Sequence, residues 1–171
     1  MKTNTFAGTL MLGFALAVLF AVPAVADGNF SDGNFSFSWK IEGSSLVAEL
    51  SAPTTGWISV GFGPTRIMKD ADMYLFAVTP SGEVVAEDHF GTGSISHKKD
   101  VDIGGTSDVT VLSGSEKDGV TTVRFSIPLN SGDEYDAKLE AGKSVKAIFA
   151  SSAKDSFTSK HNKKGKGDMI P

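Results

Sequence analysis

The feature that most restricts the fold of this chain is a two-residue alternation of apolar and polar side chains. Between residues 35 and 41, large apolar side chains alternate with Ser or Lys, and residues 58–62 repeat the pattern with Ile, Val and Phe. A period of two is the spacing of a half-buried β-strand. Turn residues recur about every 8–12 positions, which is typical of a sandwich or barrel. The pattern therefore predicts an all-β fold, an antiparallel β-sandwich of roughly eight or nine strands.

The strands alternate with turns and with two long polar segments. Residues 73–78 form a continuous apolar run, which predicts a strand covered on both faces. A short helix is predicted around residues 136–141. The long loops 91–108 and 151–167 are rich in Gly, Ser and charge, and sites usually lie on such loops. The predicted strands are 35–41, 46–50, 58–62, 73–78, 84–89, 109–112, 121–127 and 145–150.

The N-terminus has the pattern of a secretory leader. Lys2 is followed by an apolar run over 6–22 and by the small-x-small sequence Ala-Val-Ala before Asp27, where we expect cleavage. An uncleaved membrane anchor is the alternative, because the run approaches the roughly 20 residues that span a bilayer. Pro23 and the Ala-Val-Ala box favour cleavage. We therefore expect residues 1–26 to be a signal peptide and the mature protein to be periplasmic or extracellular.

Residues 27–171 are long enough for one domain with a substantial core. The chain has 16 basic and 20 acidic residues and a net charge of −4, which argues against nucleic-acid binding. After the leader no segment is long and apolar enough to span a membrane. The absence of cysteine excludes disulfides, a lipoprotein anchor, iron–sulfur clusters and covalent c-type haem. The oligomeric state is left open.

Two residues are candidate ligands of an iron cofactor. Met68 lies in a short polar loop between the predicted strands 58–62 and 73–78. A loop methionine is usually a gap-filling hydrophobe, but its thioether is also a soft ligand for haem iron. His161 lies in the Lys- and Gly-rich segment near the C-terminus, where the ordinary interpretation is a solvated residue in a charged run. The residues alone leave both interpretations open.

The sequence around Met68 resembles a known family. Gly-Trp-Ile-Ser-Val-Gly-Phe-Gly from Gly56, then Met-Lys-Asp-Ala-Asp from Met68, is similar to the DOMON domain family. Its members include the haem-carrying cytochrome domain of cellobiose dehydrogenase and a domain of dopamine β-hydroxylase. The resemblance continues through residues 82–88 and 119–125 and ends near His161 and Gly165. Where the family often has a glycine two residues after the methionine, this chain has Asp70.

This resemblance implies a two-sheet, immunoglobulin-like sandwich that binds one haem b. It assigns Met68 and His161 as the axial metal ligands, with the haem held non-covalently. Trp57 would help to wall the pocket, and Lys163, with its basic neighbours, would bind the propionates. Six-coordinate iron has no open position for a substrate, so the implied role is electron transfer to a redox partner protein, and the chain is not expected to be an enzyme.

Several alternatives remain at this point. Some DOMON relatives bind sugars, so a non-redox, carbohydrate-type binding module is the main rival. His89 could line the pocket or cap the sheet, His97 is expected to be exposed, and a bis-His haem using either is possible. Met73, Trp39 and Trp57 are expected to pack in the core. Asp70 and Asp72 are interpreted as turn-forming and strand-starting carboxylates.

Overall fold

The computed structural model describes residues 27–171, and the predicted leader lies outside these residues. Two antiparallel sheets pack face to face, as the alternation predicted. The first sheet has the strand order β1 (Asp27–Ser31), β2 (Ser36–Glu42), β3 (Ser45–Ala52), β9 (Val120–Pro128) and β8 (Thr110–Lys117). The second has the order β11 (Lys163–Met169), β10 (Val145–Ser151), β4 (Ile58–Phe62), β5 (Asp72–Val78), β6 (Val84–Gly93) and β7 (Ser96–Lys99).

Aromatic side chains fill the space between the sheets. The Phe37 ring centroid lies 6.1 Å from that of Phe62 and 5.6 Å from that of Phe149. All three side chains are buried, and Trp39 beside them is buried as well. Burying each such ring stabilises the fold by about 1.5–3 kcal/mol. The core is therefore large enough to hold this cysteine-free domain together.

Strand β5 is buried along its whole length, which confirms the prediction from its continuous apolar run. Tyr74 and Phe76 belong to the core between the sheets. Met73 and Leu75 alternate with them and point to the outer face of the six-stranded sheet. There they form a separate apolar group with Ala71, which precedes the strand. We call Ala71, Met73 and Leu75 the outer cluster.

Of the eleven strands between residues 27 and 171, three lie where the sequence predicted loops or made no assignment: β1, β7 and β11. Strand β11 has the sequence Lys-Lys-Gly-Lys-Gly-Asp-Met, which has little intrinsic β-propensity. It forms because it pairs with β10 along its whole length. A Cβ on Gly165 would lie 2.9 Å from the Phe35 ring, and one on Gly167 would lie 2.6 Å from the Phe30 ring. Aromatic rings therefore cover the two glycines of this edge strand.

The helix predicted around residues 136–141 was wrong. The N–H of Leu139 donates to the Leu129 carbonyl at 2.8 Å, and the N–H of Ala137 donates to the Asp72 carboxylate at 3.0 Å. These backbone groups bind other parts of the fold, so they are not available for a helix. The helical element between residues 27 and 171 is instead a single turn of 3-10 helix at Asp100–Asp102. Between residues 27 and 171, no helix is long and apolar enough to cross a membrane.

Candidate functional site: the outer face of the six-stranded sheet

The loop that carries Met68, residues 63–71, is held against strand β6. The N–H of Asp70 donates to the Gly91 carbonyl, and the N–H of Gly91 donates to the Ala71 carbonyl, each at 2.8 Å. A Cβ on Gly91 would lie 1.7 Å from the Met68 carbonyl oxygen. Only glycine permits so close an approach. The contact leaves Met68 partly buried against the outer cluster. We call residues 63–71 the Met68 loop.

Two non-glycine residues of the Met68 loop have left-handed backbone. The φ angle is 56° at Ile67 and 62° at Asp70. Asp tolerates this region, whereas it is unfavourable for a β-branched residue. The Asp70 carboxylate accepts hydrogen bonds from Lys69 and Thr65, and these bonds, in that order, lower its pKa. The family that this sequence resembles often has a glycine at the position of Asp70. A positive φ at this position is consistent with that, because glycine adopts it without strain.

The segment that carries His161, residues 152–162, is anchored by Trp57. The indole N–H of Trp57 donates to the Ser159 carbonyl at 3.2 Å, and its backbone N–H donates to the Lys154 carbonyl at 3.1 Å. A Cβ on Gly56 would lie 2.4 Å from the Lys154 nitrogen. Trp57 is only 5% exposed, so it packs, as predicted, and positions this segment. We call residues 152–162 the His161 segment.

The Met68 loop and the His161 segment both reach the outer cluster. Met68 contacts it from the loop, and Phe157 contacts it from the segment that carries His161. Ile148 of β10 packs beside them. A Cβ on Gly61 would lie 2.6 Å from Met73 Cγ, so the glycine leaves the space that the Met73 side chain occupies. The fold thus brings the segments of the two candidate ligands to one apolar patch outside the main core. His161 itself is partly buried.

A histidine pair lies on the same face. His89 of β6 is opposite Met73 in the strand register and is buried. Its Nε2 lies 2.9 Å from the Glu87 carboxylate, and its Nδ1 lies 2.8 Å from His97 Nδ1. The two ring nitrogens of His89 thus link Glu87 on one side to His97 on the other, and which nitrogen donates depends on the tautomer. The Lys99 ammonium completes this chain of hydrogen bonds by donating to the Glu87 carboxylate at 2.6 Å.

The expectation that His97 is exposed was wrong. Strand β7 carries it against β6, where its ring is partly buried and bound to His89. Burial, and then the charge of His89, lowers the pKa of His97. One sequence feature does indicate this hairpin: Ser96, His97 and Lys98 follow Gly93 at the spacing of a short β-hairpin turn.

The basic residues of β11 divide between its two faces. Lys164 pairs with Ala150, and Lys166 pairs with Ile148, so both lie on the face of the outer cluster. Lys163 pairs with Ser151 and alternates to the opposite face. The strand therefore places two lysines on the face of the outer cluster and Lys163 on the opposite face.

The comparison with protein families settles the class of this domain. The model of the DOMON domain matches residues 31–152. The chain belongs to the DOMON family. The match covers the Met68 loop, the outer cluster and the histidine pair of this DOMON domain, and it ends before His161.

Two relatives of this DOMON domain are animal proteins. It is 27% identical over 120 residues to DBH-like monooxygenase protein 1 of Homo sapiens, which is 70% of this chain and 19% of the relative. It is 27% identical over 100 residues to DBH-like monooxygenase protein 2 of Mus musculus, which is 58% of this chain and 16% of that protein. The chain thus spans less than a fifth of the length of either relative.

A solved structure shares the fold of this DOMON domain. The cytochrome domain of Myriococcum thermophilum cellobiose dehydrogenase superposes with a TM-score of 0.60, covering 87% of this chain and 85% of that one. The sequences are 12% identical over this superposition. The likeness confirms the two-sheet sandwich.

Two surface clefts of this DOMON domain lie away from the outer cluster. Each has a volume of about 370 Å³. The first is lined by Trp39 and Arg124 of the five-stranded sheet, and the second by Asp70 and Tyr135. Neither is lined by Met68 or His161. The outer cluster is instead covered by the side chains of the Met68 loop and the His161 segment themselves.

Proposed function

We propose that this domain binds one haem b on the outer face of the six-stranded sheet and carries electrons. The observation behind the proposal is the convergence of two segments on one apolar patch. The Met68 loop and the His161 segment come from separate parts of the chain, and both contact the outer cluster. One supplies a thioether and the other an imidazole. This is a donor pair that haem proteins use.

The residues present fit such a group in three respects. The outer cluster is apolar, so it excludes water from one side of a flat ligand. Gly61 leaves room above Met73, where any Cβ would clash. The two segments are docked through Gly91 and Gly56, whose missing side chains allow close backbone contact. A site with ligands on separately anchored segments can hold a rigid group between them.

When bound, haem supplies reversible one-electron chemistry at its iron. In our proposal the Met68 thioether and a ring nitrogen of His161 would hold the haem iron. Lys164 and Lys166 attract the anionic propionates. Trp57 acts at a distance, because it holds the backbone of the His161 segment through Ser159. With no cysteine in the chain, the attachment is non-covalent.

We infer that the domain is a carrier and not a catalyst. Two protein ligands leave no open coordination position for a substrate. The relatives are named monooxygenases, but this chain matches less than a fifth of either. The rival role, a carbohydrate-binding module, has less support, because Trp39 and Trp57 are both buried and so offer no stacking platform.

The physiological setting is part of the proposal. We propose that residues 1–26 direct export and are removed before Asp27, so that the domain works in the periplasm or outside the cell with a redox partner protein. The lysines of β11 would steer that encounter, and the rate of electron exchange should then fall with ionic strength. N-terminal sequencing of the protein recovered from the exported fraction tests the cleavage site.

The cofactor assignment is tested by titrating hemin into the purified domain. We expect one equivalent to bind, with a Soret band and sharp α and β bands on reduction. Met68→Leu keeps the apolar volume but removes the thioether, and His161→Gln removes the imidazole. Each variant should remain folded and should lose the six-coordinate, low-spin spectrum. Carbon monoxide should bind poorly to the reduced wild-type protein and rapidly to either variant.

Matched controls use residues of the same types on the same face. Met73→Leu and His97→Gln should keep the wild-type spectrum. If hemin does not bind, or if the controls and not the primary variants change the spectrum, the assignment of Met68 and His161 is wrong. Tight binding of an oligosaccharide to protein that takes up no hemin would support the binding-module role instead.

A further inference from the structure

Six aspartates gather on the opposite, inner face of the six-stranded sheet, at one end of the sandwich. Asp72 begins β5, and Asp88 of β6 lies diagonal to it, since Tyr74 is the residue directly opposite Asp88. Loops of residues 100–108 and 131–137 cover this end and supply the other four. We call Asp72, Asp88, Asp100, Asp108, Asp133 and Asp136 the acidic cluster.

The two strand aspartates are each held through one oxygen and leave the other without a partner. Asp72 Oδ2 accepts from the Tyr74 hydroxyl at 2.9 Å and from the N–H of Ala137 at 3.0 Å. Asp88 Oδ2 accepts from the N–H of Asp108 at 2.9 Å. Both Oδ1 atoms are buried and unpaired among the described residues, in side chains only 2% and 3% exposed. A buried acceptor left in this way is strongly unfavourable.

The carboxylates of these two residues converge with one from a covering loop. Asp136 Oδ1 is also buried without a hydrogen-bond partner in the described part of the chain. One carboxylate oxygen from each of Asp72, Asp88 and Asp136 lies within 4.8 Å of the other two. Asp108, Asp133 and Asp136 meet the same distance, but the Asp133 carboxylate is occupied by the N–H groups of Thr106 and Tyr135. The unpaired oxygens therefore favour the triad of Asp72, Asp88 and Asp136 over the second set of three aspartates.

Nothing with a positive charge balances the acidic cluster within residues 27–171. None of its six members forms an ion pair with a lysine, arginine or histidine there. Asp100 is fully buried, and both of its carboxylate oxygens lack partners. Burial, and then the charge of Asp88, raises the pKa of Asp72 well above its usual range, and burial raises the pKa of Asp88 to about 8. Such groups must bind either protons or a cation.

We propose that Asp72, Asp88 and Asp136 bind a calcium ion. Calcium takes 6–8 oxygen ligands at 2.3–2.6 Å, so two of its ligand oxygens lie at most about 5 Å apart. The carboxylate oxygens of the triad, which all lie within 4.8 Å of one another, meet that condition. Carboxylates from two strands and an irregular loop suit the flexible geometry of calcium better than the strict octahedron of magnesium. The remaining aspartates of the acidic cluster add attraction without ligating.

The hydrogen bonds around the triad fit the outer shell of a metal site. Tyr74 and the N–H of Ala137 fix the orientation of the Asp72 carboxylate, and the N–H of Asp108 fixes that of Asp88. Each bond leaves the opposite oxygen free to ligate. Outer-shell partners of this kind orient metal ligands in proteins. The ion ties β5 and β6 to the 131–137 loop, so its role is structural and is independent of the proposed haem.

The test compares the whole domain with and without calcium. Protein treated with a chelator is titrated with CaCl₂ or MgCl₂ by calorimetry, and its unfolding is followed in each. We expect one calcium ion to bind, more tightly than magnesium. Calcium at 100 times its Kd should raise the ratio of folded to unfolded protein about 100-fold. Asp88→Asn keeps the bond from the N–H of Asp108 and removes a charge, so it should fold without calcium and lose the response.

A matched control is Asp102→Asn, an exposed aspartate next to the acidic cluster, which should keep the full calcium response. Three results would overturn the proposal. They are a chelated wild-type protein that neither binds calcium nor changes its stability, magnesium binding as tight as calcium binding, and an Asp88→Asn variant that responds like wild type. The first result would mean that the buried aspartates are simply protonated.

Discussion

At the scale of single residues, backbone conformation explains the unusual composition of the Met68 loop. Ile67 has φ 56° and its side chain is 61% exposed. A β-branched residue in this region is strained, and nothing in its burial compensates. Strain next to a proposed ligand fits the general tendency of functional loops to hold unfavourable backbone. Asp70, in the same conformation, avoids much of the penalty through its short polar side chain.

Replacing Ile67 by asparagine should therefore stabilise the domain. Asn adopts the left-handed region readily, and the change should raise the free energy of unfolding by about 1 kcal/mol. Urea denaturation measures the difference. The matched control is Ile95→Asn at a position that is 86% exposed and where no positive φ occurs. The strain argument fails if both substitutions have the same effect.

At the scale of elements, the Met68 loop depends on a strand that is distant from it in sequence. Gly91 of β6 exchanges backbone hydrogen bonds with Asp70 and Ala71, each at 2.8 Å. The loop can dock because β6 presents no side chain there. Anchoring by a neighbouring strand is what allows a connection to hold a side chain in a defined place.

Gly91→Ala should consequently release the Met68 loop. The added Cβ would meet backbone atoms, which cannot rotate away, so we expect a loss of about 1–3 kcal/mol in the free energy of unfolding. Under the haem proposal, hemin affinity should fall as well. The control, Gly93→Ala on the same strand, brings its Cβ 2.6 Å from the Ser96 hydroxyl oxygen, a side-chain atom that can rotate. Hemin titration and urea denaturation of both variants provide the measurement, and equal losses would contradict the docking role.

At the scale of the whole molecule, the acidic cluster should set how stability depends on pH when calcium is chelated. Burial raises the pKa of Asp88 to about 8 and that of Asp100 to about 7, and it raises the pKa of Asp72 well above its usual range. Their stabilising contribution is complete below the unfolded pKa of about 4. It is lost as the pH rises through the folded values.

The chelated protein should thus become less stable between pH 6.5 and 8. The other titratable groups facing these carboxylates are Tyr74, Asp108, Asp133 and Asp136. The raised pKa values of Tyr74 and Asp136 do not reverse the trend in that window, because a raised pKa also lowers stability as the pH rises. The lowered pKa of His97 acts in the opposite direction, but its contribution levels off as the pH rises above the unfolded value of about 6.5. Calorimetric melting temperatures at each pH check the prediction. A melting temperature that rises from pH 6.5 to 8 would contradict it.

The sequence alone identified the features that depend on local pattern. Alternation predicted β2 and β4, and a continuous apolar run predicted a strand buried on both faces. These features are local because burial on a sheet face selects every second side chain, whatever the partner strand is. The burial of Trp39 and Trp57 was predicted correctly for the same reason. The motif around Met68 led to the DOMON family.

Tertiary structure alone decided what depends on distant contacts. Strand β11 forms because β10 offers an edge and aromatic rings cover its glycines, not because its own sequence favours a strand. His97 is partly buried because β7 returns it to His89. The calcium triad joins Asp72, Asp88 and Asp136, which no spacing rule connects. Each acid resembles an ordinary turn or strand-end residue by itself, and only the meeting of two strands with a covering loop removes water from all three.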